Sequence, residues 1–431
     1  MIDKRLIPSD DDLKGLVPQR CTLSGGNTIY LFQSKSVDIL KLDFIFNAGS
    51  AYQPKMLCVG AVRDMLLEAS ERNPAQKVAE LFDRLGVAMD RQATSSTVKL
   101  SVYVLKKYAA EVYPVLGDLL SHPFFGKNEF EVLMSKRRQA LLSGELKTAV
   151  VARNLFYEAV YGKDHPEGVY AKPDDVQRLT LDDVCGYASE RFKLADATLV
   201  LAGNYDDEIL KLVDTCFSSS TAINTPSSYS GTQALKHSCN QAIKHSIPSS
   251  VQTTLRLGRM IPMSWDDPDY PMFMILNTVL GGYFGSRLMT TIREEKGYTY
   301  GIYSMSNMVR GSSVFYITSD VASEYAEPAL KEIYKELYRL CNEAVSDDEL
   351  SLVCNYMAGD FLRSIDGIFE RSERFYNMLD VQIDERFTTN FFNALKTATP
   401  EKLKLLAERV YDKQELVGVV VGSSLSKPLP V

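Results

Sequence analysis

The sequence predicts an α+β protein of two tandem homologous domains, each an antiparallel-rich sheet with helices packed on one face. Three observations predict it. Two similar helix-strand units close the two halves of the chain, two strand-helix units recur at nearly the same offset, and a polar stretch separates the copies.

The first pair is ASERFKLADATLVLAGN (Ala188 to Asn204) and LAERVYDKQELVGVVVGS (Leu406 to Ser423). Each reads as an amphipathic helix closing in Glu-Arg, a short polar connection, and a β-branched strand that ends at Gly203 or Gly422. Arg191 and Arg409 stand 218 residues apart.

The second pair begins at Thr97 and at Ser313, an offset of 216 residues, and each member is a strand running into a long amphipathic helix. Two elements in the same order at matching offsets make duplication the better account. Val37 to Ser50 reads as a strand, Gly60 to Ser70 as a helix, and Arg91 to Val104 as a further strand. Long strands followed by helices argue for helices packed on a sheet face.

Between the copies, Ser218 to Ser250 is rich in Ser, Thr, Gln and Asn, with apolar residues too sparse for a packed element. The expected domains are therefore residues 1–217 and 251–431, with 218–250 as a linker.

A chain of 431 residues exceeds what one core organises, and 45% hydrophobic with 24% charged residues is ordinary for a globular protein. A net charge of -7 without a basic stripe speaks against nucleic acid as a partner. No window reaches the roughly 18 apolar residues of a membrane span, and the N-terminus lacks an export signal's apolar run, so no membrane role and a cytoplasmic location are expected. Seven scattered cysteines without a C-x-x-C pair read as reduced small hydrophobes.

Several stretches resemble the pitrilysin-type (insulinase-like, M16) metallopeptidase family, which includes the mitochondrial processing peptidases. LDFIFNAGSAYQ (Leu42 to Gln53) is similar to the family strand that precedes the zinc helix. YGKDHPEGVYAKPDDVQRLTLDDV (Tyr161 to Val184) resembles its Tyr-Gly…His-Pro segment and Leu-Thr-x-x-Asp helix cap. LGGYFGSRLMTTIREEKGYTYGI (Leu280 to Ile302), the most specific, is close to its Gly-rich turn and Arg-Glu-x-x-Gly-x-x-Tyr block. The resemblance spans nearly the whole chain and implies the M16 (LuxS-like) metallohydrolase fold.

Active members of that family carry His-x-x-Glu-His, in which two histidines on one helical face hold zinc and the glutamate activates water. Here Arg63 and Leu67 stand at the histidine positions and Leu66 at the glutamate position. Glu145 falls near the family's distal glutamate ligand, but one carboxylate would not hold zinc. None of the four histidines (His122, His165, His237, His245) lies three or four residues from another, and each reads as a surface or turn residue. Asp64 and Glu68 read as a solvated pair beside Arg63. The chain itself is expected to bind no metal.

What the resemblance retains is an Arg and a Tyr seven residues apart, Arg293 and Tyr300. A guanidinium and a phenol can both donate hydrogen bonds to the oxyanion that peptide hydrolysis builds on a carbonyl. The same residues also suit an exposed helix end paired with Glu294 or Glu295 and a strand-opening packing residue.

The resemblance therefore implies a non-catalytic, substrate-binding subunit of a heterodimeric zinc peptidase. A zinc-bearing M16 sister subunit would supply the metal, the substrate would be an extended or unfolded peptide, and self-association as a homodimer is a further partner expectation. Two other readings stay open: a structural M16-like scaffold, and a self-sufficient zinc endopeptidase with an atypical ligand set.

Overall fold

The computed structural model describes residues 3–8, 13, 15–218, 241–261, 263–411 and 415–423. The first half builds a six-stranded sheet from β1 (Gln19–Thr22), β2 (Thr28–Gln33), β3 (Ile39–Phe46), β4 (Ala88–Ala93), β5 (Val98–Leu105) and β6 (Thr198–Gly203), in the order β1-β2-β6-β3-β5-β4. The second half builds a five-stranded sheet from β7 (Gln241–Ser246), β8 (Gln252–Ile261), β9 (Thr299–Val309), β10 (Ser312–Ala322) and β11 (Val417–Gly422), in the order β7-β11-β8-β10-β9.

Without β1 the two orders correspond strand for strand. The pairs β2/β6 and β7/β11 are parallel and all other neighbours are antiparallel. The duplication legible in the sequence is thus a duplication of topology, and the α+β class with two homologous sheets holds.

Alternation decides which face each strand buries. In β3, Leu40, Leu42, Phe44 and Phe46 enter the core of the first half. There they meet α1 (Cys58–Met65), α2 (Ala109–Ser121) and α5 (Leu181–Arg191); α3 (Lys127–Glu145) packs beside α1, and α4 (Thr148–Tyr161) precedes α5 in the chain. In the second half, α6 (Ala326–Asn342) and α8 (Pro400–Val410) cover the matching face, and α7 (Ile368–Asp380) lies between them in sequence.

The outer faces of the sheets are covered by exchange. Helix α4 of the first half lays Ala152, Phe156 and Val160 against Val314, Val417 and Val419 of the second sheet. Helix α7 of the second half lays Tyr376 against Phe32, Ile45 and Val200 of the first. Each half lends one helix to the other, so neither sheet is completed by its own segment alone. Phe156 is fully buried in this contact, and burial of such a side chain contributes about 1.5–3 kcal/mol.

Three expectations need correction. Arg91 to Val104 is two antiparallel strands, β4 and β5, because Thr94 turns the chain: its amide donates to the Thr97 carbonyl (2.9 Å) and its hydroxyl accepts from the Thr97 amide (2.9 Å). The helix expected from Gly60 to Ser70 ends at Met65. The expected linker ends early, since β7 lies inside it and pairs with β11; β7 is an almost wholly exposed edge strand, which is why its sequence is polar. Residues 219–240, with His237 and Cys239, lie outside the described residues.

No helix among the described residues is long and apolar enough to cross a membrane.

Candidate functional site

Helix α1 and the turn that follows it carry Arg63, Leu66 and Leu67, the positions that the family resemblance assigns to the metal motif. Cys58, Ala61, Val62 and Met65 are buried on its inner side, while Val59, Gly60 and Arg63 line a cavity of about 1240 Å³ between the two halves. The helix stops before Leu66 and Leu67, which are 0% and 1% exposed and belong to the hydrophobic core.

The charges around Arg63 form a compact network. Arg63 Nε donates to Asp64 Oδ1 (2.8 Å), and Arg137 of α3 bonds the other oxygen of the same carboxylate. Arg91 of β4 donates to the Asp64 carbonyl (2.6 Å) and to Glu68 (2.8 Å). Asp64 and Glu68 are therefore tied up in ion pairs, as their neighbourhood with Arg63 suggested.

These residues do not fit zinc. Guanidinium groups are always cationic and carry no lone pair for a metal, and two core leucines replace the remaining donors. Among the described residues no group of three His, Cys, Asp or Glu side chains could hold a metal ion. Glu145 is exposed at the end of α3 and does not line the cavity; Arg137 is the α3 side chain that faces α1.

His122 and His245 are exposed, as expected. His165 is not: it is 7% exposed and stacks on Tyr161 with ring centroids 4.7 Å apart.

Arg293 and Tyr300 lie elsewhere. Neither lines the cavity between the halves. Arg293 sits near the end of a π-helical turn, Met289–Glu295, whose widened hydrogen bonding includes Lys296 N to Thr291 O (3.2 Å). Single π-turns inside helices recur at functional sites. Gly297, at φ +66°, ends the turn in the left-handed conformation that glycine adopts without penalty. The Arg293 guanidinium lies over the Phe284 ring at 4.6 Å, and its contact with Glu294 is a loose 4.0 Å.

Tyr300 opens β9, the edge strand of the second sheet, and is 94% exposed. The β9/β10 register shifts there: Ile302 faces Ser319 and Thr299 faces Val321, so Tyr300 and Gly301 stand opposite Asp320 alone. Such a bulge re-aims a side chain. Thr299 holds it by donating to the Asp320 carbonyl (2.7 Å) and accepting from the Gly301 amide (3.1 Å). The strand-packing role open to Tyr300 from sequence does not apply.

The Gly-rich turn before this block is a packing device, since a Cβ on Gly281 would lie 2.6 Å from the Ser304 backbone nitrogen. Sequence reasoning missed Arg91, Arg137, Arg153 and Arg374, which approach α1 or line the cavity from β4, α3, α4 and α7. The only signal was the Lys136-Arg137-Arg138 run, which looks like a solvated helix face.

Fold and site together define an α+β protein of two homologous halves, with arginine and leucine at the positions that the family resemblance assigns to metal ligands. Residues 178–357 match the model of the peptidase M16 inactive domain, and over nearly its whole length the chain is similar to proteins of the M16 peptidase family. It is 21% identical over 409 residues, 94% of this chain and 98% of the other, to the protein of Bacillus subtilis called uncharacterized zinc protease YmxG. It is 22% identical to the non-peptidase homolog YmxG of Helicobacter pylori, with 83% of each chain covered. A solved peptidase M16 inactive domain from Pseudomonas fluorescens shares the fold at a TM-score of 0.83 and 19% identity, covering 95% of this chain and 100% of that one.

Proposed function

We propose that this chain is the non-catalytic, substrate-binding subunit of a two-chain, cytoplasmic M16 zinc peptidase, completing with Arg293 and Tyr300 a site whose zinc belongs to a sister subunit. The observation that carries the reading is Tyr300: 94% exposed, re-aimed by a bulge, and set on the same π-turn-to-strand segment as Arg293. A phenol so exposed adds nothing to packing. Its placement suits hydrogen bonding to something outside the chain.

The substrate is an extended peptide. Strand β9 offers an unpaired edge to which a peptide backbone can add, with Tyr303 and Met305 standing outward along it. The Arg293 and Tyr300 donors would then reach the carbonyl oxygen as it gains charge. The inactive-domain match supports the lack of turnover by the chain alone.

The test is turnover of a quenched, unstructured peptide by this chain alone, by a zinc-motif M16 sister from the same genome alone, and by the two mixed. Turnover well above the sister's own, in the mixture only, is expected. Zinc-dependent turnover by this chain alone, or a mixture no faster than the sister, contradicts the reading.

A further inference from the structure

The vacated metal position has become a cationic wall. Arg63 and Arg137 share one carboxylate, Asp64, and Arg91 takes the other, Glu68, so three guanidinium groups face two carboxylates. The side chains of Arg63 and Arg137 remain 24% and 33% exposed, and both line the cavity. Arg153 of α4 lines the same cavity, and its guanidinium donates to the neutral Asn154 amide oxygen (3.2 and 3.3 Å).

Two carboxylates of the facing wall are already engaged. Its Glu373 is occupied by Lys41 and Lys99 behind it, and Asp380 accepts hydrogen bonds from Thr94 (2.9 Å) and Thr97 (2.6 Å). Arg374, also at the cavity, bonds the Thr388 hydroxyl (3.4 Å) and lies 4.4 Å over the Phe361 ring. Glu370 and Glu167 are the remaining lining carboxylates, and Glu167 is largely enclosed beside Ser95.

We infer that the cavity binds a peptide carboxylate against Arg63, Arg137 and Arg153, so that the preferred ligand is an extended peptide rich in Asp and Glu. The planar guanidinium fork matches a carboxylate through two parallel hydrogen bonds, and the ligand supplies the acceptor that the arginine network lacks. The inference deepens the substrate-binding reading and rests on it. The carboxylate can come from side chains or from the peptide's C-terminus.

The test is fluorescence anisotropy on the full chain without any sister subunit, using a labelled unstructured peptide with several Asp and Glu. Its comparisons are the same peptide with Asn and Gln, and the acidic peptide with an amidated C-terminus. The acidic peptide is expected to bind about tenfold or more tightly than the amide version, with the preference shrinking as salt rises. The double variant R63Q/R153Q should abolish the preference, and R153Q alone, at an exposed position, should reduce it without disturbing the fold.

Loss on amidation alone assigns the carboxylate to the C-terminus, and loss on Asn/Gln exchange assigns it to side chains; either supports the inference. Binding unchanged by both the Asn/Gln exchange and the amidation, or an unchanged preference in R63Q/R153Q, overturns it while leaving the substrate-binding reading intact. If no peptide binds at all, both fail.

Discussion

Lys41 of the first sheet and Glu373 of the exchanged helix α7 meet across the boundary between the halves, with Nζ 3.1 Å from Oε2. Lys99 bonds the other oxygen of Glu373, Ser372 accepts from Lys41 (3.1 Å), and Asp43 lies 3.0 Å from the same ammonium. Both lysines are almost wholly buried, so the contact between halves is polar here and apolar on the opposite side, where α4 sits.

Removing the Glu373 charge should therefore loosen the chain. Glu373→Gln leaves Lys41 with Asp43 and removes the carboxylate that Lys99 bonds. Fully buried pairs lose about 3–5 kcal/mol when one partner goes, but Glu373 is 39% exposed and screened, so about 2 kcal/mol is expected by chemical denaturation.

The same residue gives a pH dependence. Burial raises the Glu373 carboxyl, but the Lys99 hydrogen bond and the Lys41 charge outweigh it and hold it below its ordinary 4.5. A depressed carboxyl stabilises above its unfolded value and loses that contribution as pH falls, so the difference between wild type and Glu373→Gln should shrink on acidification below about pH 4.5. A difference that grows on acidification would contradict this assignment.

Helix α5 offers a second, local test. Thr180 and Asp183 form a capping box, with Asp183 N to Thr180 Oγ1 at 3.2 Å and Thr180 N to Asp183 Oδ2 at 2.9 Å. Lys55 joins Asp183 at 2.7 Å and, with the Thr180 bonds, lowers its pKa from 3.8 to about 2. Asp183→Ala should cost about 1 kcal/mol at neutral pH. That difference should be fully present above pH 3.8 and disappear as pH falls through about 2.

Much of this was legible in the sequence because it is local or repeated. The Leu-Thr-x-x-Asp cap, the strands ending at Gly203 and Gly422, and the duplicated strand-helix units all appear where the pattern put them. The β4/β5 turn was missed because Ala93 to Thr97 contains no Gly, Pro, Asn or Asp; its signal is the weaker one of the Thr94 hydroxyl, which accepts from the Ser96 (3.1 Å) and Thr97 (2.9 Å) amides. The exchange of α4 and α7 was invisible for a different reason. Leu40-Lys41-Leu42-Asp43 alternates as a strand with one solvated face does, and only the arrival of α7 buries those charges. Periodicity tells which face of an element is apolar, not which element covers it.

Restoring the metal motif by substitution should fail. In the triple variant R63H/L66E/L67H the second and third new side chains start from core positions beyond the end of α1, and Arg137 and Arg91 remain beside them. Zinc measured by mass spectrometry after exhaustive dialysis should stay far below one equivalent per chain, with reduced thermal stability from polar groups placed in the core. Stoichiometric, tightly held zinc would mean that the local backbone is still that of a metal site.

The most direct measurement is kcat/KM for a quenched peptide in the mixture with a zinc-bearing sister subunit, comparing wild type, Arg293→Ala and Tyr300→Phe of this chain. Loss of one oxyanion donor typically lowers turnover by about 10²–10³-fold, and each variant is expected to fall in that range with its assembly with the sister unchanged. Wild-type turnover from both variants would contradict a site completed by this chain.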